Sequence, residues 1–147
     1  MKDPYSSNNK AINRLVSEWQ EHGSIVIGVD QDDTLYDYHS QGFTFDRTVS
    51  ILKQAQSAGC TLCAWTADDR EDYITTYWKS IGLRMDYFND SPVNCGKISR
   101  KPYFNILLDD RAGLKASLNI LENVIRIMNE RMETTKRFTG SLPNPPR

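Results

Sequence analysis

The sequence predicts an α/β fold with a largely parallel sheet, and two features of the residue pattern lead to this prediction. Short apolar runs of strand length alternate along the chain with segments whose apolar residues recur at helical spacing. The first run, Ile25 to Val29, is apolar at nearly every position, as expected for a central strand buried on both faces. Helices are therefore expected to connect the strands and to cover the sheet.

Length, charge and composition narrow the class of protein. The chain has 147 residues and a formal net charge of −1. This length fits one domain over residues 1–147, with flexible ends expected at 1–9 and 139–147. No apolar run approaches the roughly 20 residues of a membrane helix, and the polar start lacks the apolar core of a secretory signal. We therefore expect a cytoplasmic protein without membrane contact and without a strong nucleic-acid-binding surface.

The three cysteines are an odd number, which favours free thiols over disulfides in a chain expected to stay in the cytoplasm. Cys60 and Cys63 have the spacing of half a zinc site, but no second Cys or His pair follows at ligand spacing. Both are therefore predicted to be buried strand residues.

The first half of the chain contains two predicted helices and two predicted strands. A helix from Asn9 to Glu21 has its apolar residues on one face, and the strand from Ser24 to Val29 follows it. Asp46 is expected to cap the second helix, which closes at Gly59 because glycine readily adopts the conformation of a helix end. The second strand then runs from Cys60 to Trp65.

The second half continues this alternation. Acidic residues from Asp68 onward favour the N-terminus of a third helix, which ends at Gly82, and a short strand follows at Met85 to Phe88. A fourth strand runs from Tyr103 to Leu108, and a long helix follows from about Leu114 to Thr134. The apolar stripe of this helix is wider than one sheet face needs, so deep burial and a homodimer contact both remain open.

Polar residues stand where the predicted strands end: Asp30, Thr66, Asp109 and Asp110 each follow an apolar run. In an open parallel sheet, the carboxyl ends of the strands line the ligand crevice. Carboxylates gathered there repel one another, and a bound divalent cation relieves that repulsion. Oxygen ligands suit Mg²⁺, which binds through one or two carboxylates and a substrate phosphate. The pattern therefore predicts a phosphoryl-transfer site that holds Mg²⁺.

The same motifs resemble those of the haloacid dehalogenase-like hydrolase superfamily. Asp30-Gln31-Asp32-Asp33-Thr34 after an apolar strand resembles the first motif, Asp-x-Asp-x-Thr. The strand ending at Thr66, a lysine, and Leu107-Leu108-Asp109-Asp110 resemble the other three motifs, in the same order. The arrangement from Lys101-Pro102 to Asp109 resembles the small capless members. This resemblance implies a three-layer α/β/α sandwich with a mainly parallel, Rossmann-like sheet, and a Mg²⁺-dependent phosphatase.

The resemblance also implies a role for each acidic residue. Asp30 is the expected nucleophile, which forms an aspartyl-phosphate, and Asp32 is the expected general acid and base. Mg²⁺ is expected to be held by Asp30, by the main-chain carbonyl of Asp32 and by Asp109, with Asp110 assisting directly or through a water. Position 33 is Asp, whereas glycine is most common there in the superfamily that the motifs resemble. This difference adds a negative charge beside the site.

The substrate phosphate is expected to contact a hydroxyl and a cation. Thr66 is predicted to hydrogen-bond a phosphate oxygen, and Lys101 to neutralise the charge of the phosphate and the nucleophile. Lys97, which follows a glycine, is the alternative lysine. The predicted substrate-binding residues are Thr66, Ala67, Lys101 and Arg70, although Arg70 has the alternative of pairing with the carboxylates around it.

The spacing of the motifs leaves no room for a cap domain, because the stretch between Asp33 and Thr66 is filled. It contains a short loop between Thr34 and Asp46, which we call the flap, and the second helix. The flap aromatics, among them Tyr36 and Tyr38, either contact the leaving group or pack on the domain, and His39 is expected to be a surface residue. The predicted activity is hydrolysis of a phosphate monoester: a nucleotide, a polynucleotide end, a sugar phosphate or a phosphoprotein. The alternative is a noncatalytic binding or regulatory module with the same fold.

Overall fold

A computed structural model describes residues 3–93 and 100–140, so that Cys95 and Lys97 lie outside the described residues. The side chains of residues 139 and 140 are likewise outside this description. In chain order, the helices and strands are α1 (Asn9–His22), β1 (Val26–Val29), α2 (Asp46–Ser57), β2 (Thr61–Ala64), α3 (Glu71–Ser80), β3 (Tyr87–Phe88), β4 (Ile106–Leu108) and α4 (Leu114–Gly140). A single 3₁₀ turn at Asp110–Ala112 stands between β4 and α4.

The four strands form one sheet in the order β3-β2-β1-β4, and every pair of neighbours is parallel. Strand β1 is central, with Val29 aligned to Ala64 of β2 on one side and to Leu108 of β4 on the other. All four residues of β1 are buried, as its apolar sequence predicts. The protein thus has a mixed α/β fold in which helices flank an all-parallel sheet, and this part of the prediction is confirmed.

The long helix α4 packs against α1, α2 and β4. Deep burial therefore accounts for much of its wide apolar stripe, while a homodimer contact stays a prediction. The helix continues to Gly140, past the predicted end at Thr134. In these last turns the Thr134 hydroxyl donates to the Glu130 carbonyl one turn earlier. Its buried side chains are Leu118, Leu121, Val124, Ile125 and Met128.

One predicted helix cap is wrong. Asp46 is the first residue of α2 and not its cap: Phe45 occupies the cap position, and no side chain caps this end. Helix α3 begins only at Glu71, because Asp68 holds the preceding turn by accepting hydrogen bonds from the backbone and the side chain of Arg70.

Helix α3 is tied to the loop that follows β1. Trp78 is fully buried, and its indole N–H donates to the side-chain oxygen of the buried Gln31 at 3.0 Å. The Tyr77 hydroxyl donates to the main-chain carbonyl of Leu35 at 2.8 Å. These two bonds hold the first and the last residue of the loop segment 31–35, so α3 positions this segment relative to the sheet.

Buried apolar side chains from the sheet and all four helices form one core cluster. Cys60 and Cys63 are buried free thiols, as predicted, and burial raises the pKa of each to about 12. Within the described part of the chain, no helix is both long enough and apolar enough to cross a membrane.

The ring of Phe104 leaves no room for a side chain at Gly28 of β1. A Cβ at position 28 would stand 2.5 Å from Cδ2 and 2.7 Å from Cγ of that ring, which also packs edge-on against Trp65. We expect Gly28→Ala to lower the free energy of unfolding by ~1–3 kcal/mol, since the whole ring must move. Urea unfolding measures this loss. Most of it should vanish in a Phe104→Ala background; an equal loss in both backgrounds would contradict the clash.

Candidate functional site

The carboxyl ends of the three longest strands meet at one edge of the sheet. Asp30 directly follows β1, and its backbone N–H donates to the carbonyl of Leu108, the last residue of β4, at 2.9 Å. On the other side of β1, the backbone N–H of Trp65 donates to the carbonyl of Val29 at 2.8 Å. Because the parallel pairing continues past the strand ends, the residues that follow them are brought together.

These residues surround a cavity of about 380 Å³. Of the predicted site residues, the structure brings Asp30, Asp32, Thr66, Ala67, Asp109 and Asp110 to its wall. Tyr38 and His39 of the flap, Arg111 after the last acidic pair, and Asp33 complete the wall. Five of the ten wall residues are aspartates, so the cavity carries a strong negative charge.

Three of the aspartates are close enough to share a cation. Carboxylate oxygens of Asp30, Asp109 and Asp110 all lie within 4.8 Å of one another. A set of ligands made only of carboxylate oxygens fits Mg²⁺, which prefers hard oxygen donors. The Asp32 carboxylate is not in this group, so the ligand expected from Asp32, its main-chain carbonyl, leaves that carboxylate free for proton transfer.

Thr34 links the first and last motifs. It is fully buried; its hydroxyl donates to Oδ2 of Asp30 at 3.3 Å and accepts the backbone N–H of Asp110 at 3.1 Å. One hydroxyl thus orients the carboxylate after β1 and holds the chain after β4 beside it. The sequence signal for this contact was the threonine at the fifth position of the motif, but its two partners are visible only in the fold.

Asp33 takes the backbone conformation that glycine favours. Its φ of 56° is left-handed, a region in which Asp is tolerated better than most residues with a Cβ. Its carboxylate Oδ2 lies 3.5 Å from Nε2 of His39, whose side chain is 60% exposed. His39 is therefore a surface residue, as expected, but one at the rim of the cavity.

Burial and nearby charges raise the pKa of two of these aspartates, Asp30 and Asp32. Burial raises the pKa of Asp30 to about 7, and a hydrogen bond to Asp110 and the charge of Asp109 act in the same direction. Burial also raises the pKa of Asp32, helped by the charges of Asp68 and of its neighbour in sequence. A raised pKa is the direction that a general acid needs near neutral pH.

Thr66 is held by two partners. Its backbone N–H donates to Oδ1 of Asn89 at 2.8 Å, and its hydroxyl oxygen accepts the backbone N–H of Asp68 at 3.1 Å. Because that oxygen already accepts one bond, the hydroxyl hydrogen is the part of the group suited to a further acceptor such as a phosphate oxygen. Asn89, just after β3, was missed from the sequence, where no motif distinguishes it.

Neither Arg70 nor Lys101, the predicted cationic residues, lines the wall of this cavity. The Arg70 guanidinium is held by Asp68, with Nη2 2.6 Å from Oδ2, as the charge-pairing alternative expected, and it lines a neighbouring pocket. Lys101 is exposed and is not among the wall residues of either pocket. Lys97 falls outside the described residues, so the choice between the two lysines stays a prediction.

Comparison with known proteins supports the fold and gives no information on the function. No protein-family model and no curated protein sequence matches this chain. Among solved structures, a conserved protein from Bacteroides thetaiotaomicron superposes with a TM-score of 0.54 at 24% sequence identity, over 74% of this chain and 92% of that one. At this identity the likeness indicates a shared α/β fold.

Proposed function

We propose that this protein is a Mg²⁺-dependent phosphomonoesterase of the haloacid dehalogenase-like class, a three-layer α/β/α sandwich without a cap domain. One observation carries the proposal: the carboxylate of Asp30, at the end of the central strand, has oxygens of Asp109 and Asp110 within 4.8 Å and shares a cavity with Thr66. An acidic cluster, a hydroxyl and a second carboxylate, that of Asp32, are the groups that phosphoryl transfer through an aspartate requires.

The negative charge of the cavity makes a cation necessary for an anionic substrate. Asp30, Asp109, Asp110 and the main-chain carbonyl of Asp32 would hold Mg²⁺. When bound, Mg²⁺ neutralises carboxylate and phosphate charge as a Lewis acid. The bond from Thr34 to Oδ2 of Asp30 fixes the rotation of that carboxylate for attack.

In the first step, an oxygen of Asp30 attacks phosphorus, a new P–O bond forms, and the P–O bond to the alcohol breaks. Asp32 gives its proton to the departing oxygen, which leaves as the alcohol. In the second step, Asp32 takes a proton from water, whose oxygen attacks phosphorus and releases inorganic phosphate and the free Asp30 carboxylate. Each step moves one proton through Asp32, so the residue returns to its starting state.

Thr66 and Ala67 line the wall on which the phosphate oxygens would rest, and Lys101 is our proposed source of the second positive charge. Arg70 is proposed as a contact of the substrate's alcohol part, because it lines the neighbouring pocket with Asp32. The classes of substrate proposed are a nucleotide, a polynucleotide end, a sugar phosphate and a phosphoprotein.

The short flap after β1 leaves the site open. Asp37 organises it: its carboxylate accepts the backbone N–H groups of Gln41, Gly42 and Phe43 at 3.1, 2.7 and 3.2 Å. An Asp side chain that accepts several backbone N–H groups in this way fixes the local turn of the flap. In an open site without a cap, residues at the rim select the substrate. We therefore propose that the flap aromatics contact the leaving group.

The test is release of phosphate from p-nitrophenyl phosphate. We expect activity with Mg²⁺, loss of it with EDTA, and its return on adding Mg²⁺. Asp46→Asn, which removes an exposed carboxylate at the start of α2, is the matched control and should keep the wild-type rate. No release from a broad panel of phosphate monoesters, together with retained Mg²⁺ binding, would contradict the proposal and favour a noncatalytic module.

A further inference from the structure

A second pocket of about 200 Å³ adjoins the cavity and shares Asp32 and Tyr38 with it. Three tyrosine rings contribute to its wall: Tyr36 and Tyr38 come from the flap, and Tyr73 comes from the first turn of α3. We call this pocket, with its polar edge of Gln31, Asp68 and Arg70, the aromatic slot. Its position beside Asp32 places it where the alcohol part of a phosphate ester would extend.

Two of the three rings of the slot have a packing partner before any ligand arrives. Tyr36 packs edge-on against Tyr77, with ring centroids 5.3 Å apart and planes at 80°, and Tyr77 is itself anchored through its hydroxyl to Leu35. The Arg70 guanidinium lies 4.7 Å from the centroid of the Tyr73 ring. Preorganised rings lose little freedom on binding, which favours stacking of a ligand ring.

The charge of the slot is unsuited to a second anion. The Arg70 guanidinium makes a bidentate contact with Asp68, from Nε to Oδ1 at 2.9 Å and from Nη2 to Oδ2 at 2.6 Å, so its positive charge is already matched. Asp32 adds a carboxylate on the same wall. A sugar bisphosphate or an acidic peptide would bring further negative charge to this wall, whereas an uncharged flat ring would not.

We propose that the aromatic slot binds an uncharged aromatic ring in the alcohol part of the substrate, so that the preferred substrates are phosphate monoesters whose alcohol carries such a ring. This inference rests on the proposed function, because it uses Asp32 as the group that protonates the departing oxygen. Two sources share this chemistry: a nucleoside monophosphate and a simple aryl or benzyl phosphate.

The test compares esters of equal leaving-group chemistry. Benzyl phosphate and cyclohexylmethyl phosphate are both esters of primary alcohols and differ in whether the ring is aromatic and flat. We expect kcat/KM with Mg²⁺ to be roughly 10-fold higher for benzyl phosphate, and Tyr73→Leu to remove most of this ratio. A nucleoside 5′-monophosphate forms a third arm: a higher kcat/KM than benzyl phosphate identifies a nucleotide, and a lower one an aryl or benzyl ester.

Tyr5→Leu is the matched control. Tyr5 is 68% exposed, lies outside both pockets, and has the Lys10 ammonium 4.7 Å from its ring, the same distance as in the Arg70 and Tyr73 pair. It should keep the full ratio between the two esters. Equal kcat/KM for benzyl and cyclohexylmethyl phosphate, or equal effects of the two tyrosine variants, would overturn the slot while leaving the phosphatase intact.

Failure of the proposed function is distinguishable from failure of the slot. If no ester releases phosphate, the slot is tested by saturation-transfer NMR of benzyl phosphate bound to the full chain. Saturation of the benzyl ring protons that disappears in Tyr73→Leu but persists in Tyr5→Leu supports the slot. No saturation of the ring in the wild-type protein overturns it.

Discussion

Replacing Asp30 by Asn is expected to lower the rate of phosphate release by at least about 10³-fold, since the amide cannot form the phosphoryl bond. The substitution keeps the size of the side chain and can still accept the Thr34 hydroxyl, so the fold should be preserved. Release of p-nitrophenol over a range of Mg²⁺ concentrations measures the loss. A variant that turns over at the wild-type rate would sink the covalent mechanism.

The same substitution should stabilise the metal-free protein. The Asp30 pKa is raised to about 7 in the fold, so the carboxylate form is disfavoured there, and stability falls as pH rises from the ordinary value of 3.8 through 7. We expect Asp30→Asn to gain ~1–2 kcal/mol at pH 8, a figure reduced for the part of the group that stays in water, and to gain little near pH 4. Urea unfolding with EDTA at the two pH values measures this difference.

Mg²⁺ should stabilise the wild-type protein much more than the Asp30→Asn variant. It is expected to raise the Tm of the wild-type protein at pH 8, because it binds the folded carboxylate cluster and not the unfolded chain. The rise should be much smaller in Asp30→Asn, which has lost one of the three carboxylate ligands. Asp46→Asn should respond as the wild type does, and an equal Mg²⁺ response in all three proteins would contradict a metal site at Asp30.

Replacing Asp32 by Asn is expected to have the second largest effect, and one that depends on the leaving group. For an alkyl phosphate, whose alkoxide needs a proton to depart, kcat should fall by roughly 10²- to 10⁴-fold. For p-nitrophenyl phosphate the first step should survive, because p-nitrophenolate leaves without a proton. The second step still lacks its base, so the variant should release about one equivalent of p-nitrophenolate in a burst and then stall.

Stopped-flow absorbance measures that burst, and Asp33→Asn is the matched control. Asp33 lines the same cavity and carries the same charge, but its carboxylate faces His39. Its replacement should cause less than a tenfold change and no burst. If the Asp32 and Asp33 variants behave alike for both kinds of ester, loss of negative charge and not loss of proton transfer would explain the effect.

Much of the fold and of the candidate site could be predicted from the sequence, because the signals involved are local. An apolar strand buried on both faces needs apolar residues at successive positions, and β1 has them. Given that strands of this kind pair in parallel, the residues that follow them must meet at one edge, which is where Asp30, Thr66 and Asp109 lie. The cap predicted at Asp46 was misplaced by one residue, because a residue pattern locates the end of a helix only to within one or two residues.

The sequence by itself determined the succession of strands and helices along the chain. It also determined which acidic and hydroxyl side chains follow the strands. The tertiary structure alone decided two contacts of the site: the Thr34 bridge between Asp30 and Asp110, and the support of Thr66 by Asn89. Both join residues far apart in the chain. Residue type and spacing do not encode such contacts, since they arise only when the packed sheet sets the distances between the loops that follow its strands.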